Sequence, residues 1–381
     1  MMNILLCPDK FRGSLSAPDA CRAMTEGIRA AIPDASVRSL PLSDGGEGFL
    51  ETLTEALGGT ITLHPVSDPL GRPVQAGIGL AGTIAVIEMA QASGLALLAR
   101  GERDALQTTT FGTGELIRQA ISMGATEIFL GIGGSATTDA GIGMASALGW
   151  SFRDAAGTDL SPSGGNLRKI CSVHPPVNTL TDGIRITVAS DVTAPLDGPD
   201  GAAYVYAPQK GASPGEVAEL DAGLARLAEI VRQTTGHDFR TFPGAGAAGG
   251  LGYGLLTFCG AELKPGADLV MELLGFDALL PDTDLILTGE GKLDTQSLQG
   301  KLIGRICERA GMAGVPVAAL CGTLEADPAA LRALGLSYAA SILRQPVSLD
   351  EALTSAYDAL RQAAFWAAEL YHTASRTKKV Y

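Results

Sequence analysis

The stretch 284–301, DLILTGEGKLDTQSLQGK, decides the fold that we predict for this chain. Its first residues, DLILT, form a short apolar run typical of a buried parallel strand. Glycines interrupt the chain after this run, and the helix-like segment LIGRICERAG follows. In open α/β sheets, ligands bind at the carboxyl ends of the strands, where this loop is expected to lie. Its two carboxylates and two lysines suit a divalent cation and a phosphorylated ligand, and the alternative is a polar surface turn.

Five other segments repeat this junction between a strand and a glycine-rich, polar loop. In chain order they are 8–16 (PDKFRGSLS), 43–48 (SDGGEG), 131–141 (GIGGSATTDAG), 190–193 (SDVT) and 244–252 (GAGAAGGLG). A single polar cleft explains this repetition better than six independent turns do. We therefore expect the loops to meet at one site.

The order of the predicted elements indicates the fold class. Strands and helices alternate at the beginning of the chain and again in its C-terminal part, which indicates right-handed βαβ units and a parallel sheet. Five such strands match a flavodoxin-like, doubly wound α/β sheet with the strand order 2-1-3-4-5. The middle of the chain has closely spaced strands, which favour antiparallel pairing in a mixed α/β domain. We predict a discontinuous domain from 1–59 and 281–381 and a second domain from 60–280.

The composition argues against several classes of protein. The net charge of −13, without a basic stripe, is unfavourable for nucleic-acid binding. No apolar run approaches the ~20 residues that span a bilayer, and the chain opens on the strand-like MMNILLC without the features of a signal peptide. We expect a cytoplasmic protein that binds neither nucleic acid nor membranes. The sequence leaves its oligomeric state open, a homo-oligomer included.

Phosphoryl transfer is a chemistry that these loops suit. It requires donors around the phosphate oxygens, a magnesium ion held by carboxylates, cations near the transferred group and a carboxylate that orients the acceptor hydroxyl. The chain has no Walker A sequence and no protein-kinase motif set. The segment 131–141 offers instead backbone N–H groups, hydroxyls and a helix start, all of which favour phosphate. A purely structural joint between strand and helix is the alternative.

The motifs together resemble the type I glycerate kinase family, also called glycerate 2-kinase. The similarity runs nearly from end to end, through DKFRGSLSA, DGGEG, EMAQASGL (88–95), GTGELI (112–117), GIGGSATTDAG, APQKGA (207–212), PGAGAAGGLGYG and TGEGKLDTQSLQGK. The resemblance implies ATP-dependent phosphorylation of D-glycerate to 2-phospho-D-glycerate in organic acid catabolism, with Mg2+ as cofactor. It also implies that the second domain is inserted into the first, with the active site in the cleft between them.

Three positions depart from the family pattern. Ala194 stands where the family usually has asparagine, Lys292 where arginine is common and Gln299 where histidine is common. The change at 194 argues against a ligand role there. Lysine at 292 keeps the positive charge but loses the planar, bidentate fork of arginine.

The candidate site residues fall into three sets. For the phosphates of ATP we predict Gly133, Gly134, Ser135, Thr138, Lys292 and Lys301. For Mg2+, which is typically held by one or two protein carboxylates, the candidates are Asp44, Glu290 and Asp294. For the carboxylate and hydroxyls of a three-carbon acid they are Lys10, which we also place among the catalytic residues, Arg12, Ser14 and Lys210, which is expected on the surface of the second domain. In the alternative, Lys10 or Lys301 holds ATP phosphates.

Asp191 is the candidate base. It follows the apolar strand RITVAS, where a carboxylate would be held rigidly and partly desolvated, which raises its basicity. An Asx turn or a helix N-cap is the alternative, and the residues alone favour it. Asp294 is the second candidate for the base.

Other functions stay open at this point. The segment Gly131-Ile132-Gly133 suggests a dinucleotide oxidoreductase, but position 136 is alanine where the glycine pattern requires glycine. A two-domain sugar-acid binding protein fits a cleft, although anion binding does not explain the many carboxylates. A glycerate kinase that forms 3-phosphoglycerate differs only in which hydroxyl receives the phosphate.

Overall fold

The computed structural model describes residues 2–294 and 302–378, and they divide into two compact units. The first unit contains the chain up to Asp44 together with the chain from Ala267 onward, and the second runs from Gly45 to Gly266. Each unit is built around its own large sheet.

The described elements alternate between strands and helices along most of the chain. The strands are β1 (Asn3–Leu6), β2 (Ser36–Ser39), β3 (Thr60–Ser67), β4 (Pro73–Ala81), β5 (Ile84–Glu88), β6 (Glu127–Gly131), β7 (Ser151–Arg153), β8 (Ser172–His174), β9 (Arg185–Ala189), β10 (Glu262–Lys264), β11 (Leu285–Leu293), β12 (Val317–Leu324) and β13 (Leu336–Ser341). The helices are α1 (Ala17–Ala31), α2 (Phe49–Ala56), α3 (Ala90–Ser93), α4 (Phe111–Ser122), α5 (Ile142–Ala147), α6 (Ala202–Tyr206), α7 (Pro214–Thr235), α8 (Ala247–Cys259), α9 (Gly266–Leu273), α10 (Phe276–Leu279), α11 (Leu302–Ala313), α12 (Pro328–Leu334), α13 (Leu349–Thr354) and α14 (Ala356–Lys378).

The first unit is a parallel α/β sheet. Its strands lie in the order β2-β1-β11-β12-β13, and each neighbouring pair in this order is parallel. Apolar side chains such as Leu6, Leu287 and Leu320 are fully buried, as expected for strands covered by helices. Helices α1 and α14 pack against each other and share this core through Met24 and Ala364. The predicted α/β class with a parallel sheet is confirmed.

The second unit contains a mixed sheet with the strand order β10-β9-β6-β5-β4-β3. Strands β3, β4 and β5 pair antiparallel, whereas β5, β6, β9 and β10 pair parallel. The turn between β3 and β4 forms because the carboxylate of Asp68 accepts the N–H groups of Leu70 and Arg72, each at 2.8 Å. The antiparallel pairing expected from the closely spaced strands is therefore present. Strands β7 and β8 form a separate two-stranded sheet.

The structure places both domain boundaries earlier than our predicted divisions after residues 59 and 280. The units change after Asp44 and after Gly266. Helix α2 belongs to the second unit because its buried face packs on β4 and β5. Helix α9 belongs with the first unit, where Asp268 pairs with Arg309 of α11 at 2.9 Å. Local sequence patterns do not show against which sheet a helix will pack.

The two longest helices, α7 and α14, are amphipathic elements of their units. Both bury apolar residues on one face and carry charged side chains on the other. Within 2–294 and 302–378, no helix combines the length and the apolar character needed to cross a bilayer.

Candidate active site

Parallel strands of the second unit end together at one edge of its sheet. Glu88 at the end of β5, Gly131 at the end of β6 and Ala189 at the end of β9 are in register. The carbonyl oxygen of Gly45 accepts the N–H of Gly133 at 3.3 Å, and a side chain on Gly45 would collide with Ala189. The SDGGEG, GIGGSATTDAG and SDVT segments therefore contribute to the same edge.

Glu88 is a buried carboxylate that the sequence analysis did not select. Its Oε2 accepts the N–H groups of Gly48 at 3.0 Å and Leu50 at 3.4 Å, at the start of α2. The SDGGEG loop is thereby fixed to the end of β5. A signal was present in the sequence, because the ionisable Glu88 ends the otherwise apolar run IAVIE and begins the EMAQASGL motif.

The loop after β6 exposes glycine backbone and buries its hydroxyl groups. Gly134 is exposed and Gly133 is half-buried. Ser135 is buried, and Thr138 is fully buried with no hydrogen-bond partner for its Oγ1 among the residues that the structure describes. The Thr138 hydroxyl is therefore not accessible to a ligand. The N–H of Gly133 is already bound to Gly45, so we narrow the predicted phosphate-binding segment to 134–135.

The start of α5 is capped from within the protein by Asp139. Its buried carboxylate accepts the N–H groups of Gly141 at 3.1 Å and Gly143 at 3.2 Å, and both the N–H and the hydroxyl of Thr110 at 2.8 Å. Burial raises the pKa of Asp139, and these four hydrogen bonds oppose that rise. Donors already bound to Asp139 are not available to a phosphate. The helix start therefore drops out of the predicted phosphate site.

The predicted loop at 244–252 is a packed segment rather than a polar one. It leads into α8, and Ala248, Gly249 and Gly250 have left-handed backbone conformations there. Most of its residues are buried in the apolar core of the second unit. This segment lacks ionisable side chains, and we remove it from the candidate site.

Lys210 is buried, which contradicts its predicted place on the surface. It ends the short 3₁₀ helix Pro208–Lys210, and only 2% of its surface is exposed. Its Nζ donates hydrogen bonds to Ser135 Oγ at 2.7 Å and to the carbonyl oxygen of Thr137 at 2.6 Å. The sequence misled us because lysines are almost never fully buried unless they are paired. We no longer place Lys210 among the groups that contact the substrate.

Asp191 follows β9 with a carboxylate that is anchored but exposed. Its Oδ1 accepts the N–H of Gly266 at 2.9 Å. We predicted a partly desolvated group, and the exposure contradicts that prediction because the SDVT segment extends past the end of the strand. The hydrogen bond from Gly266 still restricts the orientation of the side chain.

In the first unit, the loop after β1 forms a tight turn. Phe11 pairs with Leu15 across the turn, with Gly13 at its tip. The hydroxyl of Ser14 donates to the carbonyl oxygen of Phe11 at 3.0 Å. The predicted ligand Ser14 therefore also stabilises the turn. Arg12, in the same turn, is exposed, so an anion can reach it.

The loops after β1 and β2 meet β11 at one edge of this sheet. The N–H of Asp9 donates to the carbonyl oxygen of Gly289 at 2.9 Å. The N–H of Leu42, in the loop after β2, donates to the carbonyl oxygen of Pro8, in the loop after β1, at 3.0 Å. These bonds bring together the segments that carry the half-buried side chains of Lys10 and Asp44.

The segment that we used to predict the fold is a longer strand than expected. β11 continues to Leu293 and pairs with β12 along that extension. Glu290 and Lys292 therefore belong to a strand and not to a loop. Because successive side chains of a strand point to opposite faces, these two lie on the same face.

The ammonium group of Lys292 has carboxylate partners. Its Nζ lies 2.9 Å from Glu325 and 3.5 Å from Asp294, and the hydrogen bond with Glu325 is the main cause of its raised pKa. A phosphate would compete with these carboxylates for Lys292. Lys301 and residues 295–300 lie outside the described residues, so the role of Lys301 stays a prediction.

Comparison with known proteins identifies the family. The family model described as "Glycerate kinase family" matches residues 4–372. The chain belongs to the glycerate kinase family. It is therefore a member of an enzyme family of the kinase class, as the sequence resemblance implied.

Individual members of the glycerate kinase family match this chain over almost its whole length. The glycerate kinase of Halalkalibacterium halodurans is 42% identical over 367 residues, which cover 96% of this chain and 97% of that protein. The protein named glycerate 2-kinase of Escherichia coli K12 is 41% identical over 367 residues, 95% of this chain and 96% of that protein. A crystal structure from Salmonella typhimurium LT2, described as a candidate glycerate kinase 2, has a TM-score of 0.88 and 40% identity, covering 98% of this chain and 99% of that one.

The predicted metal ligands of this glycerate kinase family member do not form a preassembled cluster. Among the residues described, no three His, Cys, Asp or Glu side chains are arranged to hold a metal ion. Magnesium keeps several waters and is bound by one or two carboxylates together with substrate phosphates. The half-buried carboxylates of Glu290 and Asp294, on one strand end, have the chemistry for that mode.

Proposed function

We propose that this protein transfers the γ-phosphoryl group of ATP to the 2-hydroxyl of D-glycerate and releases ADP and 2-phospho-D-glycerate, in organic acid catabolism. The main structural support is the edge of the second unit, where the adjacent parallel strands β6 and β9 are followed by the exposed Gly134 and by Asp191. Phosphoryl transfer requires phosphate-binding donors beside a carboxylate that orients the hydroxyl. The relatives named glycerate kinase and glycerate 2-kinase indicate the acceptor.

The proposed step assigns one task to each part of this edge. The backbone N–H groups of Gly134 and Ser135 bind phosphate oxygens of ATP. Asp191, oriented by the N–H of Gly266, accepts the proton of the acceptor hydroxyl. The hydroxyl oxygen forms a bond to the γ-phosphorus while the bond from that phosphorus to the bridging oxygen of ADP breaks. Since Asp191 is exposed, we assign its contribution to its position beside the acceptor hydroxyl.

The loop after β1 is the proposed substrate clamp. Arg12 and Lys10 supply positive charge for the carboxylate of glycerate, and Arg12 can bind it in a bidentate manner. Lys292 is proposed to neutralise phosphate charge after it leaves its carboxylate partners, with Lys301 as a second cation. That the reaction takes place in a cleft between the domains stays a prediction.

Magnesium is part of the proposal because kinases use it to neutralise phosphate charge. Glu290 and Asp294 are the proposed ligands, with Asp44 as the further candidate. Bound there, the ion would supply electrostatic stabilisation to the phosphates.

We also propose the finer description of the fold. The parallel order β2-β1-β11-β12-β13 fits a flavodoxin-like sheet of order 2-1-3-4-5. The second unit is continuous in sequence and lies between the two segments of the first, which fits an inserted domain.

The proposed function is tested by mixing the protein with ATP, magnesium and D-glycerate and measuring ADP release. Phosphorus NMR of the product then separates 2-phosphoglycerate from 3-phosphoglycerate. We expect glycerate-dependent ADP release and the 2-phospho product. Tight binding of glycerate without ADP release would instead indicate a sugar-acid binding protein, and the 3-phospho product would correct the position of transfer.

Replacing Arg12 by alanine should raise the Michaelis constant for glycerate by roughly 10- to 100-fold, the effect of losing a charge-assisted contact. The Michaelis constant for ATP should change far less. Steady-state kinetics with each substrate varied in turn measure both values. Arg29→Ala, which removes an exposed arginine near the end of α1, is the control. An equal or larger effect on ATP would place this loop on the nucleotide side.

Replacing Glu290 by glutamine should raise the magnesium concentration for half-maximal rate by roughly tenfold or more, since metal affinity responds on this scale even to changes outside the ligand set. Glutamine keeps the shape but removes one negative charge from the proposed ligands. The measurement is a magnesium titration of the initial rate at saturating ATP and glycerate. Glu308→Gln, on the exposed part of α11, controls for charge. A folded Glu290→Gln protein with an unchanged magnesium requirement would remove Glu290 from the metal site.

A further inference from the structure

Lys210 is a buried cation that the proposed mechanism does not use. Its ammonium group ends on two oxygens of the loop after β6, Ser135 Oγ at 2.7 Å and the carbonyl oxygen of Thr137 at 2.6 Å. Charge-assisted hydrogen bonds of this length are among the stronger polar contacts in proteins. They hold the loop from inside the second unit, at Thr137 and at Ser135, which is adjacent to the exposed Gly134.

The backbone that carries Lys210 has little freedom to move. Gly211 follows it in the left-handed conformation, with a φ of 98°. A Cβ built on Gly211 would lie 2.2 Å from the carbonyl oxygen of Arg103, so the two segments are in direct backbone contact. Packing therefore restrains the backbone at Lys210, and the two hydrogen bonds of its buried ammonium group connect this restrained backbone to the loop after β6.

We propose that Lys210 is a positioning residue for ATP: it holds Ser135 and the adjoining glycine backbone in the phosphate-binding arrangement, and it carries a proton when the phosphates are bound. This inference rests on the proposed function, because it assigns the 134–135 backbone to ATP. A positive charge inside the protein acts on a nearby phosphate more strongly than an exposed one, since less solvent screens it. Lys210 achieves this without contacting the ligand.

The surroundings of Lys210 make its charge responsive to ATP. Burial lowers the pKa of Lys210 to about 7, and the nearby buried Asp139 opposes that fall. The backbone carbonyl of Arg103 lies against Gly211, the residue that follows Lys210. Near neutral pH, Lys210 is thus partly neutral before ATP binds. The negative phosphates favour its protonated form, so ATP binding should take up a proton from solvent at this residue.

The first test compares wild type with Lys210→Met by calorimetric titration of magnesium-ATP, without glycerate, at pH 7 in buffers of different ionisation enthalpy. We expect the variant to bind ATP roughly tenfold or more weakly, as for a lost charge-assisted contact, and to take up fewer protons on binding. Its Michaelis constant for glycerate should stay unchanged. The control is Lys169→Met, because Lys169 is exposed and its Nζ donates a hydrogen bond to the side-chain oxygen of Asn166 at 2.9 Å; this variant should behave as wild type.

A double-mutant cycle tests whether Lys210 acts through Ser135. If it does, Ser135→Ala and Lys210→Met will weaken ATP binding by less together than the product of their separate effects. Ser135→Ala alone should leave part of the proton uptake, because the lysine remains. Strictly multiplicative effects would contradict action through Ser135.

The pH dependence separates positioning from a merely structural role. The pKa of Lys210 in the folded protein lies below its unfolded value of about 10.4. The stability that it contributes is therefore fully present above that value and is lost as pH falls toward 7. Between pH 7 and 9, the melting temperature of wild type should therefore rise relative to that of Lys210→Met. Over the same range, ATP affinity of wild type should fall relative to the variant, by at most about tenfold per pH unit for one linked proton.

The outcomes distinguish this inference from the proposed function. A folded Lys210→Met protein with the ATP affinity and proton uptake of wild type would overturn the inference, while glycerate-dependent ADP release would leave the function in place. Wild type that binds ATP with Lys210-dependent proton uptake but does not phosphorylate glycerate would overturn the function alone. Absence of ATP binding by wild type would overturn both.

Discussion

The Asp191→Asn variant is expected to turn over glycerate about 10²- to 10⁴-fold more slowly than wild type, the usual contribution of a positioned base. Its affinity for ATP should stay nearly unchanged. Asparagine keeps an oxygen that can accept the N–H of Gly266, so the geometry after β9 should survive. What it loses is the ability to take the proton of the acceptor hydroxyl. Turnover is measured by ADP release and ATP affinity by direct titration.

The matched control for this variant is Asp182→Asn. Asp182 is an exposed aspartate that precedes β9, at the opposite end of the strand from Asp191. It should keep the turnover of wild type. If Asp191→Asn also keeps near-normal turnover, the role of Asp191 is structural. The base would then have to be sought at Asp294.

Replacing Asp139 by alanine should lower the free energy of unfolding by about 3–5 kcal/mol, the scale for removing one member of a buried charged network. The carboxylate accepts four hydrogen bonds, from Thr110, Gly141 and Gly143, and all of these donors would become unpaired in the interior. The buried Lys210 would lose the charge that opposes the lowering of its pKa. Urea unfolding followed by circular dichroism measures the change.

Asp154→Ala provides the comparison for Asp139→Ala. Asp154 also accepts backbone N–H groups, from Ala156 and Thr158 at 2.9 Å each, but in an exposed turn where water can replace it. The Asp154→Ala substitution should lower the free energy of unfolding by about 1 kcal/mol or less. If both variants lose a similarly small amount of unfolding free energy, water must reach the Asp139 site. The four hydrogen bonds of Asp139 would then not hold the loop after β6.

The parts of this fold that could be predicted depend on local patterns. Apolar runs followed by glycine and a polar residue mark strand ends, and the runs before Asp9, Gly131 and Asp191 all proved to be parallel strands. The antiparallel pairing of β3, β4 and β5 followed from short spacing in the same way. These features are encoded within a few residues, so their sequence patterns are sufficient.

The missed features depend on contacts between distant parts of the chain. Lys210 is buried because its segment packs beside Ser135, 75 positions earlier. Glu88 became a loop anchor because α2 packs on β5, 40 residues after Gly48. β11 extends to Leu293 because β12 supplies a partner there. The hydrophobic periodicity of a short segment does not reveal such distant neighbours. The role of a single lysine or glutamate in an apolar segment is therefore ambiguous until its partner is known.

The central place of β1 has a consequence for synthesis on the ribosome. β1 pairs with β2 early in the chain, but its other neighbour is β11, where Ile4 is opposite Leu285. At roughly 5–20 residues per second, the first strand waits ~10–60 s for that neighbour. The continuous second unit, Gly45–Gly266, emerges complete in the meantime. Until β11 emerges, β1 thus has an unpaired apolar edge although the whole second unit has already been synthesised, and this is the stage at which chaperone protection would matter most.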